Sequence, residues 1–171
     1  MKRNKILDSG QIKRKLERMA RQLLEVHYHE KELILLGVQG DGMEVAKRLE
    51  KILNEIGKMP VRLESIKLNK KNPLDSIIKS SFEVDSLTGK TVIVIDDVLN
   101  SGRTLIHAVK HVLAANPKQI YTAILVDRIH RLFPVRADYC GLSLSTHLDQ
   151  HISVNLNSDD NSKDVVYLDL L

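Results

Sequence analysis

The amino-acid sequence predicts an α/β protein with a mostly parallel central sheet and flanking helices. Short apolar runs alternate along the chain with stretches in which apolar residues recur at helical spacing, a pattern typical of parallel sheets covered by helices. The composition is that of a globular protein, because 43% of the residues are hydrophobic and 28% are charged. A chain of 171 residues can build one sizeable core, so we expect a single domain over residues 1–171.

The first half of the chain predicts two helices and two strands. Asp8 or Ser9 can cap the first helix, and Gly57 can end the second one. The run ELILLGV is short and almost wholly apolar, so it predicts a buried strand. In chain order, the elements are a helix over 11–27, a strand over 32–38, a helix over 43–56 and a strand over 61–68.

The second half continues the alternation and then changes to shorter strands. Its elements are a strand that ends at 96, a helix over 104–116, a strand over 119–127 and strand-like pieces over 139–142, 152–154 and 165–168. Ligands of open parallel sheets bind outside the carboxyl ends of the strands. The loops at 38–42, 96–104 and 127–136 follow such ends, and we expect the functional residues there.

The run VIVIDDVLNSGRT, at 92–104, joins an apolar strand to two acids and a loop that contains glycine. Carboxylates such as Asp96 and Asp97 suit the hydroxyls of a ribose, or a Mg²⁺ ion held directly or through water. The segment from Asn100 to Thr104 precedes a helix, where free backbone N–H groups and the helix dipole favour a phosphate. Carboxylates beside phosphate-binding amides predict a phosphoribosyl site.

Two other motifs carry weaker signals. The run TGKT at 88–91 is similar to part of a P-loop, but Val84 stands where the first glycine is needed, and the segment precedes a strand. We therefore interpret Lys90 as a surface turn residue. His107 and His111 have the spacing of metal ligands on one helical face, but no acidic partner is spaced with them, so we interpret them as surface or packing residues.

The run VIVIDDVLNSGRT resembles the phosphoribosyl-pyrophosphate (PRPP) motif of type I phosphoribosyltransferases. The segment LVDRIHRLFPVRADYCG is similar to one in the pyrimidine-operon attenuation regulators that are also uracil phosphoribosyltransferases. The resemblance implies a small hood element beside the sheet and a homodimer or higher homo-oligomer. It also implies a Mg²⁺-dependent reaction in which a nucleobase, expected to be uracil or a related pyrimidine, displaces pyrophosphate from C1 of PRPP.

The resemblance also assigns roles to residues by position. These are Asp96 and Asp97 for the ribose and the metal; Asn100, Ser101, Gly102, Arg103 and Thr104 for the 5′-phosphate; Gln39, Gly40, Asp41 and Gly42 for the pyrophosphate; Val126, Asp127, Arg128 and Arg136 for the base; and Lys70 and Lys71 for a lid.

The chain departs from the family pattern in three places. The regulators usually carry Thr-Arg-Gly where this chain has Gly-Asp-Gly at 40–42, so a carboxylate replaces a cation that would neutralise pyrophosphate. Their lid carries an arginine, whereas Lys70 and Lys71 are point charges without bidentate geometry and are equally consistent with a solvated loop. Asn100 cannot relay a proton as the aspartate of many purine-specific relatives can, which weighs against a purine base.

Charge and composition limit which partners and which cellular location we expect. The net charge of +4 and the pI of about 9.1 are compatible with anionic small molecules or with RNA. Two alternatives therefore stand beside catalysis: an RNA-binding regulator that uses Arg128, Arg131 and Arg136, and a PRPP-binding sensor with weak or no catalysis. We expect a cytoplasmic protein without a membrane partner, because no apolar run reaches the roughly 20 residues of a membrane helix. The lone Cys140 fits a reducing compartment.

Overall fold

The computed structural model describes residues 3–69, 78–147 and 149–170, which form two sheets, three α-helices and two short 3₁₀ helices. The α-helices are α1 (Ser9–His27), α2 (Asp41–Ile56) and α3 (Arg103–Leu113). The strands are β1 (Arg3–Asp8), β2 (Leu33–Val38), β3 (Val61–Lys67), β4 (Lys79–Ser80), β5 (Thr91–Leu99), β6 (Gln119–Asp127), β7 (Tyr139–Ser143), β8 (Gln150–Asn155) and β9 (Val165–Leu170). The 3₁₀ helices span Val84–Leu87 and Asn161–Lys163.

The larger sheet has six strands in the order β4-β3-β2-β5-β6-β7. Every neighbouring pair is parallel except β3 with β4, which is antiparallel. This confirms the prediction of a mostly parallel sheet. Because β2, β5 and β6 run in the same direction, their carboxyl ends meet at one edge of the sheet.

The central strands are buried on both faces, which explains why their sequences are apolar without interruption. Leu35 of β2 lies in the core layer that also holds α1 and α2, whereas its neighbour Ile34 lies in the layer that holds α3. In the same way, Ile93 of β5 lies in the layer with α1 and α2, and Val92 lies in the layer with α3. Hydrophobic layers therefore pack against both faces of the sheet, and they fix the position of the edge at which β5 ends.

The second sheet, which we call the hood, is antiparallel and has the order β1-β9-β8. Strand β1 was not predicted, because most of its side chains are exposed and its partner β9 lies at the other end of the sequence. Arg48 of α2 anchors the hood. Its guanidinium pairs with the buried Asp164 and donates a hydrogen bond to the carbonyl of Asn157 at 3.0 Å.

Several boundaries differ from the sequence prediction by a few residues. Asp8 caps α1 through a capping box with Gln11, so the helix begins at Ser9. Strand β5 continues past the acid pair to Leu99, because β6 remains paired with it there. Lys90 precedes β5 at the opposite edge of the sheet, where it forms an ion pair with Glu32 at 3.1 Å.

No helix in the described part of the chain is both long and apolar enough to cross a membrane.

His27, the last residue of α1, is buried under the main sheet. Only 1% of the residue is exposed. Its Nε2 lies 2.8 Å from the hydroxyl of Tyr139, and its ring meets the edge of Tyr121. Burial lowers the pKa of His27 against a smaller opposing effect of Glu30, and burial likewise raises the pKa of Tyr139 to about 12. The pair is therefore neutral at physiological pH.

We expect acid to destabilise the fold through His27. The unfolded imidazole takes up a proton near pH 6.5, whereas the folded one resists it, so stability falls as the pH drops below that value. The loss attributable to this residue is at most about 1.4 kcal/mol per pH unit. Urea unfolding at pH 7.5 and pH 5.5 measures it, and His27→Gln, which keeps a polar group without titrating, should flatten the dependence. An equal pH dependence in both proteins would contradict this account.

Candidate functional site

A cleft of about 550 Å³ lies where the carboxyl end of β5 faces the hood. One wall is formed by the acid pair and the loop that leads into α3. The opposite wall comes from Arg128, just after β6, and from two residues of hood strand β8. The lining residues are Asp96, Asp97, Val98, Asn100, Ser101, Arg103, Thr104, Arg128, His151 and Ile152.

The two acids of β5 differ in exposure, because adjacent residues of a strand point to opposite faces. Asp96 is 4% exposed, and its carboxylate accepts a hydrogen bond from the backbone N–H of Asp97 at 2.9 Å. Asp97 is partly exposed. Both residues line the cleft, so two carboxylates lie next to each other near the end of an otherwise apolar strand.

The segment Asn100–Thr104, which we call the phosphate loop, turns the chain from β5 into α3. Gly102 is the N-cap of α3 and has a φ of +87°, a left-handed conformation that favours glycine. The loop is pinned from outside, because the carbonyl of Ser101 accepts hydrogen bonds from the N–H groups of Leu132 and Phe133. The first turn of α3 contains no acid, so its N–H groups and dipole favour an anion.

The segment Gln39–Gly42, which we call the pyrophosphate loop, connects β2 to α2 and packs beside the acid pair. A Cβ added to Gly42 would lie 2.7 Å from Oδ1 of Asp96, so the two chain segments are in direct contact. Asp41, the unexpected acid of this loop, accepts a hydrogen bond from the N–H of Leu156 at 3.3 Å. Its carboxylate therefore reaches the end of hood strand β8.

Two of the residues assigned to the base have their side chains occupied in other ways. Val126 is fully buried in the core and paired with β5 and β7, so its side chain does not reach the cleft. Asp127 is 3% exposed, accepts a hydrogen bond from the N–H of Ile129 at 2.9 Å and forms an ion pair with Arg131.

The other two residues assigned to the base, Arg128 and Arg136, lie in different places relative to the cleft. Arg128 lines the cleft, but its guanidinium is held by four acceptors of the chain. Arg136 is not brought to the cleft, because its carbonyl accepts a hydrogen bond from Thr122, in the middle of β6 rather than at its end. Its exposed side chain pairs with Asp138. The predicted lid residues Lys70 and Lys71 lie outside the described residues.

His151 and Ile152 line the cleft, and the sequence analysis did not identify either of them. Both belong to β8, whose position over the sheet depends on pairing with β9. Ile152 is 3% exposed, whereas His151 is exposed and contributes an imidazole to the wall opposite the acids. The only local signal was a short apolar alternation at 152–154, which predicts a strand but not which loop the strand faces.

A parallel sheet capped by a hood, with an acid pair and two glycine-containing loops at one edge, defines a protein of the type I phosphoribosyltransferase class. The chain belongs to the phosphoribosyl transferase domain family, whose model matches residues 2–161. It is 36% identical over 168 residues to the Bifunctional protein PyrR of Staphylococcus carnosus, covering 94% of this chain and 96% of that protein. It is 35% identical over 164 residues to the protein of the same name from Bacillus pumilus, covering 91% of each. These matches confirm the family resemblance inferred from the PRPP motif.

Solved structures support the fold. The hypoxanthine phosphoribosyltransferase of Trypanosoma cruzi superposes with a TM-score of 0.76 at 19% identity, over 98% of this chain and 97% of that one. A hypoxanthine-guanine phosphoribosyltransferase from Bacillus anthracis superposes with a TM-score of 0.70 at 24% identity, over 87% and 86% of the two chains. At these identities the likeness concerns the architecture of the sheet and hood.

Proposed function

We propose that the protein transfers the ribose 5-phosphate of PRPP to a nucleobase, with uracil or a related pyrimidine as the preferred base, and releases pyrophosphate. The observation that carries the proposal is the acid pair of β5, which lies directly between the phosphate loop and the pyrophosphate loop. PRPP has the same order of groups: a phosphate, a ribose with two hydroxyls, and a pyrophosphate.

The proposed roles follow the geometry of the cleft. Asp96 and Asp97 accept hydrogen bonds from the ribose hydroxyls, and the backbone of Asn100–Thr104 binds the 5′-phosphate. The backbone of Gln39–Gly42 binds the pyrophosphate. The base lies between the end of β6 and hood strand β8, where the His151 side chain is exposed. Arg136 has no role in the cleft in this proposal.

In the reaction, the bond from C1 of the ribose to the pyrophosphate oxygen breaks, a ring nitrogen of the base forms the new bond to C1, and the proton of that nitrogen leaves with the released pyrophosphate. Positive charge develops on the ribose ring as the leaving group departs. Asp96 and Asp97 hold negative charge beside that ring, so they stabilise the oxocarbenium-like transition state more than the ground state. The other catalytic contribution of the protein is to bind the two reactants in the right orientation.

The carboxylates of the cleft fit a Mg²⁺ ion that arrives with its substrate. Mg²⁺ prefers oxygen ligands and is often bound through one or two carboxylates together with substrate phosphates. In the described stretches no cluster of three or more His, Cys, Asp or Glu side chains could hold a metal by itself, which agrees with a shared site of this kind. Asp96 and Asp97 would hold the ion directly or through water. When bound, Mg²⁺ would neutralise part of the negative charge of the pyrophosphate.

The choice of a pyrimidine rests on Asn100. Its side-chain oxygen accepts a hydrogen bond from Nη1 of Arg128 at 2.8 Å, and an amide does not take up a proton at physiological pH. The residue therefore cannot relay a proton to or from a purine ring. The lack of a relay at Asn100 weighs against a purine, so a pyrimidine is the favoured substrate.

A panel of bases with PRPP and Mg²⁺ tests the proposal directly. Release of pyrophosphate should be fastest with uracil or another pyrimidine, exceeding the rates with hypoxanthine, guanine, xanthine and adenine by about tenfold or more, a difference of about 1.4 kcal/mol in transition-state binding. Reactions without PRPP or without Mg²⁺ serve as controls. Absence of turnover with every base, orotate and cytosine included, would overturn the enzymatic proposal.

An RNA-binding regulator is the second candidate. Exposed cations on α1 support it, because Arg14, Arg18 and Arg21 follow one another at helical spacing on the exposed side of the helix. Of the three arginines that the sequence suggested for this role, Arg128 is buried and Arg131 is paired with Asp127, whereas Arg136 is exposed. Binding to a pyrimidine-leader RNA should weaken steeply with salt, and no gel shift at low salt would eliminate this candidate.

If turnover fails but calorimetry detects PRPP binding, the protein is instead a PRPP sensor. In each case we place it in the cytoplasm as a homodimer or higher homo-oligomer. The lone cysteine and the family resemblance support this placement.

A further inference from the structure

Arg128 is a buried cation at the centre of a bridge between the phosphate loop and the hood. Its residue is 6% exposed, and its guanidinium makes four hydrogen bonds to the chain. Nη1 donates to the side-chain oxygen of Asn100 at 2.8 Å, and Nε donates to the hydroxyl of Thr146 at 2.9 Å. Nη2 donates to the carbonyls of Gln150 at 2.8 Å and His147 at 3.3 Å. One guanidinium thus ties the loop after β5 to the first residue of β8.

These hydrogen bonds leave few N–H donors of Arg128 for a base. A guanidinium has five N–H donors, and four of those of Arg128 already have acceptors. Among the described residues, the second donor of Nη1 has no acceptor, so it can bind a ligand. The geometry therefore favours a role in which Arg128 positions the elements around the cleft.

The charge of Arg128 has no negative partner in the described part of the chain. All four acceptors are neutral oxygens, and Arg128 forms no ion pair among the described residues. Burial lowers its pKa. Arg48 provides the contrast, because it is similarly buried but pairs with Asp164 and Glu44, which raise its pKa against the effect of burial. A buried charge without an opposite charge is costly, and an anion in the cleft would relieve that cost.

We propose that Arg128 is a positioning residue that holds the phosphate loop against hood strand β8, and that the anion bound in the cleft supplies its missing counter-charge. This inference rests on the proposed function only in that the cleft receives a phosphorylated ligand. Anion binding and the docking of the hood are then coupled, because the same guanidinium interacts with the anion and with the hood. An empty cleft leaves the hood held by hydrogen bonds around an uncompensated cation, and an occupied cleft neutralises it.

Two substitutions separate the bonds from the charge. Asn100→Asp keeps an acceptor for Nη1 and adds the missing carboxylate, so it should preserve the bridge and lower the affinity for inorganic phosphate, the probe of the phosphate loop, by about tenfold. Arg128→Lys keeps the charge but cannot reproduce the four-way bond pattern, so it should affect affinity less and loosen the hood. Arg128→Gln removes both and should show both effects. Isothermal calorimetry measures the affinity.

Hydrogen exchange of the ligand-free protein measures the bridge. Amides of Asn100–Thr104 and of Gln150–Asn155 should exchange faster in Arg128→Lys than in the wild type and should keep wild-type rates in Asn100→Asp. Arg62→Gln is the matched control, because Arg62 lies on β3 near the amino end of the sheet and already has acidic partners. It should change neither measurement.

The inference is overturned if Arg128→Gln and Asn100→Asp bind inorganic phosphate as the wild type does, or if Arg128→Lys leaves the exchange of both segments unchanged. Should Arg128→Gln fail to fold, the other two variants still decide the outcome. Failure of the proposed function is a separate result, since it shows as absent turnover in the base panel. Binding and exchange do not depend on turnover, so either conclusion can fail alone.

Discussion

Asp97→Asn should lower kcat/KM for PRPP by about a hundredfold while leaving the protein folded. The substitution keeps the shape of the side chain but replaces a carboxylate oxygen with an N–H₂ group that meets ribose hydroxyls as a donor. A hydrogen bond to a charged group contributes about 1.5–3 kcal/mol, and losing it in the transition state gives a rate effect of this size. Asp97 is partly exposed and lies near the end of the strand, so we expect the variant to fold.

Steady-state kinetics with PRPP varied at saturating base measures this effect, with pyrophosphate release as the readout. Asp85→Asn is the matched control, because Asp85 is an exposed aspartate in the 3₁₀ helix before β5 and does not line the cleft. It should keep wild-type kinetics. Wild-type rates in Asp97→Asn would show that the acid pair does not bind the ribose, and they would contradict the assignment of the site.

The sequence predicted the main sheet well because the signals for it are local. Strands β2, β5 and β6 are buried on both faces, so each is a continuous apolar run, and the helices between them carry apolar residues at helical spacing. Strand β1 escaped prediction because its pairing with β9 joins residues 166 positions apart, as in the ion pair of Arg3 with Asp169. No local pattern indicates such a partner.

The same distinction holds in the cleft. The acid pair and the phosphate loop are consecutive in sequence, so their chemistry could be inferred from one motif. The contacts of Arg128 with Asn100 and with the start of β8 join residues 28 and 22 positions apart, and the bond from Leu156 to Asp41 spans 115 positions. These contacts depend on how the hood is placed over the sheet. For that reason Arg128 was assigned to the base rather than to the bridge, and His151 was not considered.

Gly42→Ala should be strongly damaging, although it adds only one methyl group beside the cleft. The added Cβ would lie 2.7 Å from Oδ1 and 3.0 Å from Cα of Asp96, and 3.2 Å from the carbonyl oxygen of Ile95. Two of these three atoms are backbone, so they cannot move aside by changing a rotamer. Relieving the overlap has to shift the start of α2 away from β5, at a cost of about 1–3 kcal/mol. The same shift moves the pyrophosphate loop relative to the acid pair.

Activity should fall by about a hundredfold, because a misplacement of about 1 Å between reacting groups has an effect of that order. Urea unfolding and steady-state kinetics measure the two consequences separately. Gly10→Ala is the matched control, because Gly10 is also in a first helical turn but its added Cβ meets nothing closer than 3.5 Å. Helix propensity alone makes alanine better than glycine by about 0.5–1 kcal/mol, so this control should be slightly stabilised and fully active.

Gly40→Ala distinguishes packing from loop conformation. Gly40 has a φ of +103°, which strains any other residue, but its added Cβ has no atom within 4 Å. It should therefore lose stability without displacing Asp96, and its activity should fall much less than that of Gly42→Ala. If the two variants instead lose activity equally, the conformational freedom of the loop governs catalysis. The close packing of Gly42 on Asp96 would then not be what aligns the leaving group with the ribose.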